Sequence, residues 1–209
     1  MNQTLNTYLE SLQFHSISES RIKILDSIAD SLLSLQVNNK KTTLLFVCTH
    51  NSRRSQFSQL WAEYFARHFQ LTHLDIQSCG TEVTACNFRV IYTLRNLGFQ
   101  ITNPGGSNPQ LSVKYSDLAR PITLYSKSIE SCIASSESGQ IIAMMTCDHA
   151  DQNCPIIPKV KSRIQLLYVD PKVTDDTPQE SERYQERCRQ IGEEIHYLFS
   201  KLQHFKSPN

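Results

Sequence analysis

The chain is short of several things that would mark an unusual protein. Among 209 residues it has one Trp, three Met, six Gly and eight Pro, too little Gly and Pro for a collagen-like repeat or a low-complexity chain. It has almost no net charge, because 21 Lys plus Arg stand against 20 Asp plus Glu. That balance argues against a nucleic acid or an anionic membrane as partner, since both are met by a broad basic field. Any positive potential has to be local. No segment approaches the ~18 consecutive apolar residues of a membrane-spanning helix. The N-terminus, MNQTLNTYLESLQF, has no basic stretch followed by an apolar run, so no signal peptide is expected.

What is present is an ordinary globular composition, 39% apolar and 20% charged, with seven cysteines. A length over ~150 residues allows one or two domains and a full hydrophobic core without covalent staples. An odd cysteine count leaves at least one thiol unpaired or gives the cysteines work other than cross-linking. A cytoplasmic location is expected, where thiols stay reduced and more often serve catalysis, redox exchange or metal binding than structure.

Periodicity divides the chain into an N-terminal helical extension, residues 1–41, and a main domain, residues 42–205. In the extension Leu5, Leu9 and Leu12 recur at helical spacing, and Ile24, Ile28, Leu32 and Leu35 form a second stripe that Asn38 to Lys41 closes. The main domain opens on TLLFVC, a short apolar run suited to a strand buried on both faces. The turn THNSRRS follows, then a helix with Phe57, Trp61 and Phe65 on one stripe. His73 to Gly80 reads as a second strand, and Phe88, Ile91, Leu94 and Leu97 as a second amphipathic helix closed by Gly98. Strand, helix, strand, helix implies a parallel sheet with right-handed crossovers. Thr102 to Gln110 reads as a loop, Leu111 to Lys127 as a hairpin and Ser128 to Gly139 as irregular. QIIAMMTC and IQLLYV supply two further strands, the second ending at Asp170-Pro171. In the last helix Thr177 is placed as N-cap, Pro178 at the first position and Glu180 in a capping box. Its buried stripe runs through Tyr184, Cys188, Ile191, Ile195, Leu198 and Leu202. The expected fold is α/β, three layers around a four-stranded parallel sheet.

The chemistry concentrates in Cys48-Thr49-His50-Asn51-Ser52-Arg53-Arg54-Ser55. A cysteine at the end of a buried strand precedes, by six positions, an arginine at the start of a helix. Backbone N–H groups of such a turn, with the positive end of the helix, cradle a tetrahedral oxyanion. The same field favours the thiolate, which is the nucleophile. Arg54 offers two parallel N–H donors to the oxyanion, a geometry a lysine lacks. Ser55 is placed to donate its hydroxyl to the Cys48 thiolate, and Asn51 suits a left-handed turn position. His50 lines the mouth, and Arg53 faces either the mouth or solvent. Asp170, at a strand end before a proline, is the candidate general acid, with Asp175 or Asp176 as alternatives. Cys147, His149 and Cys154 do not complete four zinc ligands, so no metal is expected.

With these residues in view, the sequence resembles the low-molecular-weight protein tyrosine phosphatases and the thioredoxin-coupled arsenate reductases, which share one fold. The matching pieces are LLFVCTHNSRRS, QSCGTE, TCDHADQNCP and VDP, within about residues 42 to 203. The resemblance implies that Cys48 attacks the oxyanion centre in line, with Arg54 and the loop amides holding the equatorial oxygens. For a reductase it further implies a relay in which Cys147 attacks at Cys48 and Cys154 then attacks Cys147, leaving a Cys147–Cys154 disulfide for thioredoxin. No tightly bound cofactor is implied. A phosphatase would instead hydrolyse the phosphocysteine with water, and that alternative stays open. Arg53 replaces a second loop cysteine found in many relatives. The potassium site of some reductases is only partly matched, by Asn51 and Ser78, with Gln59 where a glutamate would stand, so potassium dependence stays open.

Overall fold

The computed structural model describes residues 3–12, 14–36, 41–137, 139–153, 157 and 159–204. Its centre is a four-stranded parallel sheet of β1 (Thr42–Cys48), β2 (Leu74–Gly80), β6 (Gln140–Met145) and β7 (Val160–Gln165), in the order β2-β1-β6-β7. Every residue of β1 and β6 is buried. Because side chains alternate across a strand, each of these two strands feeds two cores. Leu44, Phe46, Ile142 and Met144 face α3 (Arg54–His68) and α7 (Glu180–His204). Leu45, Val47, Ile141, Ala143 and Met145 face α5 (Ile129–Ser135) and α6 (Asp148–Asn153). These are the three layers expected from the sequence, and the sheet order puts the carboxyl ends of β1 and β6 side by side.

The first core holds Phe57, Leu60, Trp61 and Phe65 of α3 and the whole predicted stripe of α7, from Tyr184 to Leu202. The N-terminal helices α1 (Gln3–Glu10) and α2 (Glu19–Gln36) add Leu5, Leu25, Ile28, Ala29 and Leu32 to that same core. Tyr8 stacks on Trp61 with centroids 5.9 Å apart. The face of α2 is turned from the predicted one: Leu25 and Ala29 are inside and Ile24 is 44% exposed. In α4 (Phe88–Asn96) the buried positions are Val90, Thr93 and Leu94, while Phe88 lies outside under the Arg89 guanidinium. Residues 37–40, part of the predicted close of α2, lie outside the described residues.

The middle of the chain is more ordered than its composition indicates. β3 (Gln100–Thr102), β4 (Leu111–Lys114) and β5 (Ile122–Leu124) form a separate antiparallel sheet. The serine-rich stretch after it contains α5, capped by Ser128, whose side chain accepts from Ser131 N. Two further expectations are corrected. The fourth strand is Val160–Gln165, an edge strand with a half-exposed pattern. The apolar LLYV run begins after it, where Leu166 and Tyr168 are buried as the chain crosses the sheet end. At the head of α7 Thr177 is not an N-cap, since its hydroxyl donates to Thr174 O. Glu180 itself opens the helix and accepts from Asp176 N at 2.6 Å. Among the described residues no helix is long and apolar enough to cross a membrane.

Candidate active site

β1 ends at Cys48 and α3 begins at Arg54, so the five residues Thr49 to Arg53 reverse the chain over the end of the sheet. The turn is held from outside through its carbonyls. Thr49 O accepts from Glu82 N at 2.8 Å, His50 O from Ser126 Oγ at 2.9 Å, Asn51 O from Gln56 Nε2 at 2.7 Å and Ser52 O from Asn87 N at 3.0 Å. In a trans peptide the N–H points opposite to the C=O, so outward carbonyls turn the next amides inward. Asn51 makes the reversal at φ 45°, in the left-handed region. Gly80 permits the close approach of the neighbouring strand, because a Cβ there would lie 2.5 Å from Thr49 O and 2.6 Å from Asn51 N.

The Cys48 thiol is buried at the foot of this turn, 3.0 Å from Ser55 Oγ. Asn51 Nδ2 donates to the same Ser55 oxygen at 2.8 Å, which leaves the hydroxyl proton for the sulfur. Asn51 Oδ1 in turn accepts from Lys127 N at 2.8 Å. Lys127 N, Asn51 and Ser55 thus make one chain of donors that ends on the Cys48 sulfur.

Arg54 is bound at both ends of its fork. Nη1 donates to Tyr168 O at 3.0 Å and Nη2 to Asp170 Oδ2 at 2.6 Å, while Nε is buried without a hydrogen-bond partner among the described residues. Cys48, Thr49, His50, Ser52, Arg53, Arg54 and Asp170 line one recess of about 10 Å³, the size of a water site. Asp170 is thus the one of the three candidate aspartates that the fold brings to the cradle. Asp175 is engaged elsewhere, accepting from Tyr184 Oη at 2.9 Å and from Arg53 Nη2 at 3.2 Å. Asp176 is exposed and paired with Arg89 at 2.6 Å. Arg53 also donates to Tyr184 Oη at 2.8 Å, so its guanidinium is directed to α7 and not into solvent. His50 lies at the mouth beside Glu82, 3.2 Å away.

No family model matches the chain. It is similar to the arsenate reductase of Bacillus cereus, 27% identical over 159 residues, 76% of this chain and 94% of that one. It is also similar to arsenate reductase 1 of Staphylococcus epidermidis, 29% identical over 136 residues, 65% of this chain and 83% of that one. Among solved structures, a low-molecular-weight phosphotyrosine phosphatase from Vibrio cholerae matches with a TM-score of 0.51. That match covers 79% of this chain and 99% of the phosphatase at 16% identity, and shows a common fold. The chain is thus similar in sequence to arsenate reductases and has the low-molecular-weight phosphatase fold.

The second thiol of the relay that the resemblance implies, Cys147, is buried where β6 passes into α6. Its sulfur lies 3.6 Å from Thr49 Oγ1, on the residue next to Cys48, and accepts from Ala150 N at 3.4 Å. Asp148 and His149 beside it are exposed. Cys154 lies outside the described residues. Of the other thiols, Cys86 and Cys188 are buried and pushed up to about 12 by burial. Cys79 and Cys132 are buried in the second core, where the Cys132 thiol donates to Ser78 O at 3.5 Å. Among the described residues no group of His, Cys, Asp and Glu is placed to hold a metal.

Sequence reasoning missed three contributors to this site. Lys127 fixes Asn51 through its backbone and brings its ammonium to 3.3 Å from Gln59 Oε1, which also accepts from Ser78 Oγ at 2.6 Å. Tyr184 clamps Arg53 and Asp175. Tyr168 presents the carbonyl that orients Arg54. The one signal available for Tyr168 was the apolar run that buries its ring.

Proposed function

We propose that the chain reduces arsenate to arsenite through the Cys48 thiolate and a relay through Cys147 and Cys154, with thioredoxin as electron donor. The observation that carries this reading is the buried Cys147 thiol, held by Thr49 and Ala150 beside the Cys48 turn. A hydrolase has no use for a second thiol there.

In the first step Cys48 attacks arsenic, the inward amides and Arg54 hold the oxygens, and Asp170 protonates the oxygen that leaves as water. The oxyanion takes the guanidinium donors, Nε included, and so draws the Arg54 fork off Asp170. The carboxyl is thereby delivered beside the substrate. Cys147 then attacks the Cys48 sulfur. A Cys48–Cys147 disulfide forms, the electron pair of the sulfur–arsenic bond passes to arsenic, and arsenite leaves. Attack of Cys154 on Cys147 frees Cys48 and leaves a Cys147–Cys154 disulfide, which thioredoxin returns to two thiols.

A second reading, a phosphatase hydrolysing phosphate monoesters through phosphocysteine, uses the same cradle, Cys48, Arg54 and Asp170. The two are separated by following NADPH oxidation with thioredoxin, thioredoxin reductase and arsenate, beside hydrolysis of an aryl phosphate. Cys154→Ser is expected to lose multiple-turnover arsenate reduction and keep any ester hydrolysis. Unchanged arsenate turnover in that variant rejects the relay. Cys48→Ser is expected to abolish both activities.

A further inference from the structure

α2 belongs to the N-terminal helices, yet one of its side chains reaches the segment that carries Asp170. The Arg21 guanidinium makes a bidentate pair with Glu194 of α7, Nε to Oε1 at 3.0 Å and Nη2 to Oε2 at 2.8 Å. The same Nη2 donates to Leu167 O at 3.2 Å, and the guanidinium carbon stands 5.2 Å from the centre of the Tyr168 ring. Glu194 is almost wholly buried and Arg21 largely so, with side chains 2% and 18% exposed. A buried, forked pair of this kind has one geometry, because both donors and both acceptors are used at once.

The segment it grips leads directly into the site. Tyr168 N donates to Thr146 O at 3.2 Å, Tyr168 O accepts from Arg54, and two residues later Asp170 accepts from the other arm of Arg54. Without Arg21 the Leu167 peptide and the Tyr168 ring would lose their hold on the outer side, where Val169 is already 64% exposed. A shift of about 1 Å at a reacting group is enough to cost a large part of its catalytic effect.

We propose that Arg21 is a positioning residue for the general acid, clamping Leu167 and Tyr168 against Glu194 so that Asp170 meets the leaving oxygen. The N-terminal helices then serve the chemistry as well as the core. This inference rests on the reading of Asp170 as the acid, and the test separates the two. It is made on the full chain, in whichever of arsenate reduction or aryl phosphate hydrolysis the wild type performs, with kcat and KM measured across pH.

Asp170→Asn is expected to flatten the basic limb of the kcat profile. Arg21→Ala is expected to lower kcat about tenfold, a fraction of what a general acid contributes, with KM within twofold and a shallower basic limb. The double variant is expected to be no slower than Asp170→Asn alone, since the two act as one unit. Arg21→Lys keeps the charge but cannot fork; it is expected to fall between wild type and Ala, and it carries the same readout if Arg21→Ala does not fold. A loss equal at every pH, or losses that multiply in the double variant, would overturn the positioning role. If instead Asp170→Asn leaves the profile unchanged, the acid assignment is the part that fails.

Discussion

Ser55→Ala takes a single oxygen from the middle of the chain of donors that ends on Cys48. Ser55 is fully buried, so the loss is felt without a change in surface. The hydroxyl stands 3.0 Å from the sulfur and accepts from Asn51 Nδ2 at 2.8 Å. A hydrogen bond to a charged group contributes about 1.5–3 kcal/mol. If it is made mainly to the thiolate that attacks and departs, kcat falls by roughly 10- to 150-fold. The same change strands the Asn51 amide, a buried donor whose loss of partner costs about 1–3 kcal/mol of stability. The two consequences are read separately, kcat by steady-state turnover at saturating substrate and stability by urea unfolding. KM is expected within twofold of wild type, because the anion is held by Arg54 and the turn amides. A variant that loses stability while keeping kcat within twofold would refute the assignment and leave Ser55 a purely structural link between β1 and α3.

Two other outcomes follow from particular contacts. Gly80→Ala is expected to cost at least about 2 kcal/mol and most of the activity, since the new methyl meets backbone atoms of Thr49 and Asn51 that cannot step aside; thermal unfolding and turnover check it, and a native Tm would show that the strand approaches the turn less closely. His196 stacks on Phe65 at 4.5 Å and touches Phe14 at 4.6 Å, and burial, with the nearby His68, holds it down to about 4. The unfolded chain, with His near 6.5, binds the extra proton first. Its contribution to stability is therefore whole above about pH 6.5 and is lost as the pH falls toward 4. For a half-buried ring the loss is about 1–2 kcal/mol after solvent screening. His196→Phe is expected to flatten that part of the pH–stability curve, and an unchanged slope between pH 4 and 6.5 would exclude His196 as its source.

The parts of this site that were legible in the sequence are those encoded locally. A run buried on both faces, a five-residue turn and an arginine opening a helix place Cys48, Asn51, Arg54 and Ser55 without any long-range information, and the structure has each where that pattern puts it. Asp170 was legible because an aspartate before a proline at the end of a sheet has few places to go. The stripe of α7 was legible because a 25-residue helix repeats its signal many times. Illegible were the partners that arrive from far along the chain. Arg21 and Glu194, or Arg53 and Tyr184, are 173 and 131 positions apart and leave no periodic trace. β7 was misplaced because an edge strand needs few apolar residues, whereas the run that follows it is apolar in order to cross the core. α5 was missed because its serines face out while only Ile129 and Cys132 are buried.

The central claim is that an arsenic-bearing Cys48 is resolved by Cys147. The most direct measurement is mass spectrometry of Cys154→Ser protein after one turnover with arsenate, without thioredoxin. A single disulfide joining Cys48 to Cys147, with one arsenite released per chain, is the predicted result. Arsenite released with Cys147 still a free thiol would contradict the relay, and so would a protein that consumes no arsenate yet hydrolyses an aryl phosphate through Cys48.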